Sequence, residues 1–331
     1  ELPSSNASVP ETPPPESGEF ERDRVATVTR LIAETWPDTT EAIESLSTVV
    51  PVMVNAGELK LAREFSLMLP ETSPERAEAE LVTGQAMWGM FLQRQQAPSS
   101  EAPAEAAGDE TWLAEQATEL LRAGYQHWKE SSEVSVSTAT AMLSLAQALV
   151  AEGDASRAVE VLEHETVGPL TLVDAGHEAS SNPVFVQEAY RTSLQAYIGA
   201  MGNDPVGMMD KARQSMSSFR EAVGDDAAGR QRMLAIYVNL AQSIESQMSS
   251  AAPAAKQEMS KVFEAFLEEL SAGSSEVGVL NWVAETFASL GKGFDIDPVV
   301  LNEDARAYYK RSVGAFENLL ARSDLQSQVA T

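Results

Sequence analysis

A chain of 331 residues that is 44% hydrophobic can bury a large core, which excludes global disorder, and suits about one to three compact domains or one elongated repeat array. Its 23 Lys+Arg against 50 Asp+Glu give a formal net charge of −27, which repels phosphate backbones and excludes nucleic acid as a partner. Zero cysteines exclude disulfides, thiolate zinc sites and cysteine nucleophiles, and no apolar run approaches the roughly 18 residues that a membrane helix needs.

Residues 1–19 hold five prolines among Ser, Glu and Asn and cannot bury apolar area, so they read as a disordered, polyproline-like leader. The chain starts at Glu1 rather than Met, the expectation for a processed or cut protein, and such a spacer often follows a cleaved signal peptide. Only seven of the 23 basic residues are lysines. An acidic, lysine-poor surface stays hydrated where salt screens its self-repulsion, which favours an extracytoplasmic or saline setting.

From Phe20 onward apolar residues recur at three- and four-residue spacings, as in Ala141–Val150 and Lys261–Leu270, and the spacing predicts helix almost throughout. Two short stretches, Val134–Ser137 and Pro169–Val173, are the nearest approach to a strand pattern; the first is too short and the second reads equally well as a loop. Breakers set the boundaries. Trp36-Pro37-Asp38 ends the first helix and caps the next. Ala56-Gly57-Glu58 and Glu152-Gly153-Asp154 are tight turns, and Thr72-Ser73-Pro74 is a cap followed by proline at the first helical position. Residues 97–109 are a polar, mobile insertion, and Gly168–Pro183 is a loop with a buried Leu170/Leu172/Val173 patch. Gly202–Pro205, Gly224–Asp226, Ala251–Pro253, Ala272–Ser275 and Gly291–Pro298 complete the set. The expected architecture is all-α, with about twelve or thirteen antiparallel helices in one domain spanning 20–331.

One stretch repeats its own grammar elsewhere in the chain. It reads Met142-x2-Leu145-Ala146-x2-Leu149-x3-Gly153-Asp154-x3-Ala158-x3-Leu162. Leu145 and Leu149 suit a seam between two helices, Ala146 and Ala158 suit a close crossing, and Gly153 suits a left-handed turn. Weaker copies begin at Leu46, Glu80, Tyr190, Tyr237 and Leu280; the last runs through Ala284, Phe287 and a Gly291 turn to Ala305 and Tyr309. This pattern resembles the tetratricopeptide repeat, with Met142 in place of its large aromatic residue and no proline closing the second helix. The wording of GPLTLV and WVAETFASLGKGFD resembles large repeat proteins of planctomycete-type bacteria. The resemblance implies a right-handed superhelix in which helix pairs stack because one pair cannot bury both faces alone. A single globular all-α core is the alternative.

Candidate chemistry is sparse. His127, His164 and His177 form no HExxH or His-x3-His pattern, so zinc is not expected. Asp295 and Asp297, with Asn302, Glu303 and Asp304, could offer oxygens to Ca²⁺, but the EF-hand order is absent and a helix-capping loop is the simpler reading. Gly291-Lys292-Gly293 lacks the strand and the further motif of a phosphate loop. No nucleophile elbow or SxxK appears, no cofactor is implied, and no catalytic residue is assigned.

Aligning the repeats on their small residues places Gln85, Gln147, Gln195, Gln242 and Glu285 in register, one position past the seam. First helices of such repeats line the inner face of the superhelix, so the resemblance implies a polar ladder there; an exposed stripe of good helix formers is the plainer reading. The family's carboxylate clamp of Lys, Asn and Arg is not matched, since the corresponding helices offer Gln and Ser. The implied function is a non-catalytic scaffold or adaptor that holds a protein or peptide segment in a concave groove, with a basic or Gln/Ser-rich partner rather than an acidic one. The alternatives are an all-α carbohydrate-active or hydrolytic enzyme with an acidic cleft, and a structural spacer of a larger secreted or cell-surface protein.

Overall fold

The computed structural model describes residues 19–96, 104–129, 134–202, 204–224, 229, 260–261, 263–268, 271, 277–294 and 302–321. Among them twelve α-helices and one short 3-10 turn have defined bounds, residues 229, 260–261, 263–268 and 271 are helical as well, and there is no strand, as the apolar spacing predicts. The chain divides into two compact units, Glu1–Trp128 and Lys129–Thr331.

The first unit holds α1 (Glu19–Thr35), α2 (Thr40–Asn55), α3 (Leu59–Met68), α4 (Pro74–Gln96) and α5 (Ala104–Trp128). The hydroxyl of Thr39 accepts the Ala42 amide at 3.3 Å, so Thr39 is the cap of α2. The sequence points to Asp38, which lies one residue too early to reach that amide. Pro51 sits inside α2 with its ring in solvent. Gly57 has a φ of +79°, and the Gly57 and Glu58 amides close onto Val54 and Met53 at 3.0 and 2.9 Å. That paired closure needs a left-handed residue, which only glycine adopts without strain. Ser73 accepts the Arg76 amide at 3.1 Å and Pro74 opens α4, as the sequence signals. Residues 104–109, expected as the end of a polar, mobile insertion, are instead the first turns of α5, and residues 1–18 and 97–103 lie outside the described residues.

Helices α2 and α3 pair, α4 packs on both, and α5 pairs with α4. Their core is Leu46, Val49, Val50, Met53, Ala62, Phe65 and Leu69, with Ala26 and Ala33 of α1 on one side and Ala79 of α4 on the other. A small polar contact crosses the α3–α4 seam: the Ser66 hydroxyl donates to the Ala62 carbonyl at 2.8 Å and lies 3.1 Å from the Thr83 hydroxyl.

The second unit holds α6 (Val136–Ala151), α7 (Ala155–Leu162), α8 (Pro169–Asp174), the 3-10 turn Glu178–Ser181, α9 (Pro183–Gly199), α10 (Pro205–Val223), α11 (Val277–Phe294) and α12 (Glu303–Ala321). Here the strongest repeat is observed as a helix pair. Met142, Ala146, Ala158 and Leu162 are 0% exposed, Leu145 1% and Leu149 2%. Gly153 has a φ of +83°, and the Asp154 amide reaches back to Leu149 at 2.9 Å. Helix α9 packs on both α6 and α7, and α10 pairs with α9.

Two sequence expectations are corrected here. Pro169–Val173 is not a loop: it is the body of α8, started by proline at the first helical position. A Cβ on Gly168 would lie 2.5 Å from the His164 amide nitrogen and carbonyl oxygen, so only glycine lets the chain turn into this helix. Gly291 is not a turn either. Helix α11 runs on to Phe294, and a Cβ at 291 would lie 2.9 Å from the Tyr309 ring. Its smallness admits an aromatic ring of α12 rather than a change of direction. The repeat at Tyr237 and the residues 225–228 and 295–301 lie outside the described residues.

Ala158→Leu is therefore expected to cost about 1–3 kcal/mol, because roughly three extra carbons enter packed space. If neighbouring pairs share stability in a nearest-neighbour way, hydrogen exchange should accelerate in α6, α7 and α9 while α11 and α12 keep their protection. Uniform acceleration through the second unit would point to one cooperative core instead.

Candidate partner-binding face

The register residues sit on first helices of pairs wherever they are described: Gln85 on α4, Gln147 on α6, Gln195 on α9 and Glu285 on α11. Gln242 lies outside the described residues. The first three are half-buried and Glu285 is exposed.

The clearest geometry is on α6 and α9. Gln147 Nε2 donates to Glu188 Oε2 at 3.1 Å, joining the first helix of one pair to the first helix of the next. Arg191 Nε donates to both Glu188 oxygens at 3.1 and 3.0 Å, which fixes the carboxylate from the other side. Gln195 follows Glu188 by seven residues, two helical turns or about 10 Å along the same face. Gln147, Glu188, Arg191 and Gln195 thus form one polar patch in the second unit, with an amide at each end and a mutually neutralised ion pair between them. Glu285 is engaged locally on α11, accepting from Asn281 Nδ2 at 2.9 Å.

Sequence reasoning missed a second polar constellation. Glu163, just past α7, accepts from the Tyr197 hydroxyl of α9 at 2.7 Å and from Lys211 Nζ of α10 at 2.6 Å. Lys211 also lies 5.8 Å from the centre of the Tyr197 ring. Burial, and then the bond to Glu163, push the Tyr197 phenol up from its ordinary value. A phenol held protonated in this way cannot serve as a base near neutral pH. The cluster ties three helices together through residues 34 and 48 positions apart, a separation that no local pattern reveals.

Two of the three histidines have structural employment, while His127 is exposed in the last turn of α5. His177 Nδ1 accepts the Ala179 amide at 3.1 Å and Nε2 donates to the Val134 carbonyl at 2.9 Å, so one ring pins the 3-10 turn to the start of α6. His164 shares its Nδ1 with Thr166. No group of three or more His, Asp or Glu side chains among the described residues is arranged to hold a metal ion. Asn302 Oδ1 accepts the Asp304 amide at 2.9 Å, the capping role read for this end of the acidic loop; Asp295 and Asp297 lie outside the described residues. No helix among the described residues is long and apolar enough to cross a membrane.

No family model matches the chain, and no curated protein matches it in sequence.

Proposed function

We propose that the chain is a tetratricopeptide-like α-solenoid that serves as a non-catalytic scaffold, holding a protein or peptide segment on the face formed by its first helices. The observation that carries this reading is the seam between α6 and α9, where first helices of successive pairs lie side by side and share the Gln147–Glu188 hydrogen bond. In the resembling family this is the surface that turns inward. Side-chain amides suit the backbone of an extended segment, since each can both donate and accept. The Glu188–Arg191 pair leaves the patch itself near neutral, while the chain around it carries −27, so a basic or Gln/Ser-rich segment is the favoured occupant. The same acidic, lysine-poor surface favours an extracytoplasmic setting.

An array of short peptides graded from acidic to basic, probed with the purified chain, tests this. Basic and Gln/Ser-rich peptides should bind. The double variant Gln147→Ala/Gln195→Ala should weaken them about tenfold or more, at about 1 kcal/mol per lost hydrogen bond. Glu160→Ala, on the exposed side of α7, should not. Binding of acidic peptides alone, or indifference to the double variant, would remove the proposal.

A further inference from the structure

Helix α1 carries a second apolar face that no other described residue of its own unit covers. Ala26 and Ala33 enter the core of the first unit, and Thr29 lies 3.2 Å from Ser45 of α2. The other side shows Phe20 (59% exposed), Val25 (45%), Val28 (55%), Leu31 (60%) and, one residue past the helix, Trp36 (57%). Trp36 still donates its amide to the Ile32 carbonyl at 2.9 Å and so continues the turn.

We propose that this face binds the same face of a second copy of the chain, α1 against α1 in antiparallel about a two-fold axis at Val28. The pattern is a size palindrome. Phe20 and Trp36 each lie eight residues from Val28, and Val25 and Leu31 each lie three. A two-fold beside Val28 therefore brings Phe20 level with Trp36 and Val25 level with Leu31 along the paired helices, with Val28 facing itself, as a self-complementary interface requires. A different partner would impose no such symmetry.

Area and charge agree with this. The five side chains expose about 500 Å² of apolar surface, at the upper end of what single-chain proteins show. Buried completely, they would supply more than half of the roughly 800 Å² per partner of a standard stable interface. Helix α1 itself carries Arg22, Arg24 and Arg30 against Glu19, Glu21, Asp23 and Glu34, and Asp38 follows in the turn. The helix is nearer to balance than the chain of 23 basic and 50 acidic residues, so repulsion between two copies is weaker here than elsewhere. Residues 1–18 offer only Leu2 and Val9 beside prolines and Ala7, too little apolar area for that segment to cover the face.

Sedimentation of the full chain at about 10–100 µM, a range that captures micromolar interfaces of this size, should show a species of twice 35.6 kDa. The dimer should strengthen with salt, because screening relieves the repulsion of two acidic chains. Val28→Glu sets two carboxylates against each other at the axis and should give monomer with an unchanged circular-dichroism spectrum. Because the chain has no cysteine, Val28→Cys should cross-link on mild oxidation. Phe20→Cys should not, since its symmetry mate lies about 24 Å away, at the far end of the paired helix. A monomer throughout this range, a dimer that survives Val28→Glu, or equal cross-linking at both positions would overturn the proposal.

Discussion

Arg76→Met is expected to destabilise the unit Glu1–Trp128 by about 3–5 kcal/mol, because it leaves a buried carboxylate uncompensated. Arg76 and Glu80 form an ion pair one turn apart on α4, with side chains 11% and 3% exposed. The guanidinium also donates to the Leu67 and Leu69 carbonyls at 2.8 and 2.9 Å, satisfying the end of α3. One Glu80 oxygen already lacks a hydrogen-bond partner, so the carboxylate depends on Arg76. Glu80→Met should cost less, about 1–3 kcal/mol, because the arginine keeps both carbonyls. Arg30→Met, which breaks the 2.8 Å pair with Glu64 at side-chain exposures of 37% and 48%, should cost under about 1 kcal/mol. Urea denaturation of the three variants checks the ranking. Equal losses at Arg76 and Arg30 would mean that burial does not govern this pair.

A contrast of sign is expected along α4 and α5. Gly89→Ala should stabilise by about 0.5–1 kcal/mol, since a Cβ there meets nothing within 4 Å and alanine is the better helix former. Gly84→Ala and Gly124→Ala should instead destabilise, and leucine at either position should cost about 3 kcal/mol or more. A Cβ at 84 would lie 2.8 Å from Leu121 Cγ and 3.1 Å from the Ala117 oxygen. A Cβ at 124 would lie 2.7 Å from Leu81 Cγ and 3.0 Å from the Ala77 oxygen. The two contacts mirror each other across an antiparallel crossing, and the backbone oxygens cannot rotate away. Thermal melts of the alanine variants decide the matter: three shifts of the same sign would mean that α4 and α5 are not at closest approach where these distances place it.

The two glycines show what could be read locally and what could not. Gly84 falls on the small-residue position of a repeat, and its smallness is legible. Gly124 carried a signal that went unused: it follows Ala117 by seven residues as Gly84 follows Ala77, a spacing that sets two small residues on one face of each helix. Gly291 shows the limit in the other direction. A glycine after an apolar helix reads as a turn, yet it lies within α11, because the Tyr309 ring on α12 needs the space and the helix loses little by continuing.

The sequence by itself determined the all-α class, most boundaries and the inward faces of α6 and α7, because apolar periodicity, caps and left-handed glycines act within about one or two helical turns. It also placed Gln147 and Gln195 in register. Only the tertiary structure decided that Gln147 meets Glu188 and that Glu163 gathers Tyr197 and Lys211, because partners 34 to 48 residues apart are chosen by how helices stack. The outer side of α1 joins both levels. Its palindrome is visible in the sequence, but an amphipathic helix normally buries its large residues, and only the packing of α1 on α2 showed that the small residues went inward and left Phe20, Val28, Leu31 and Trp36 outside.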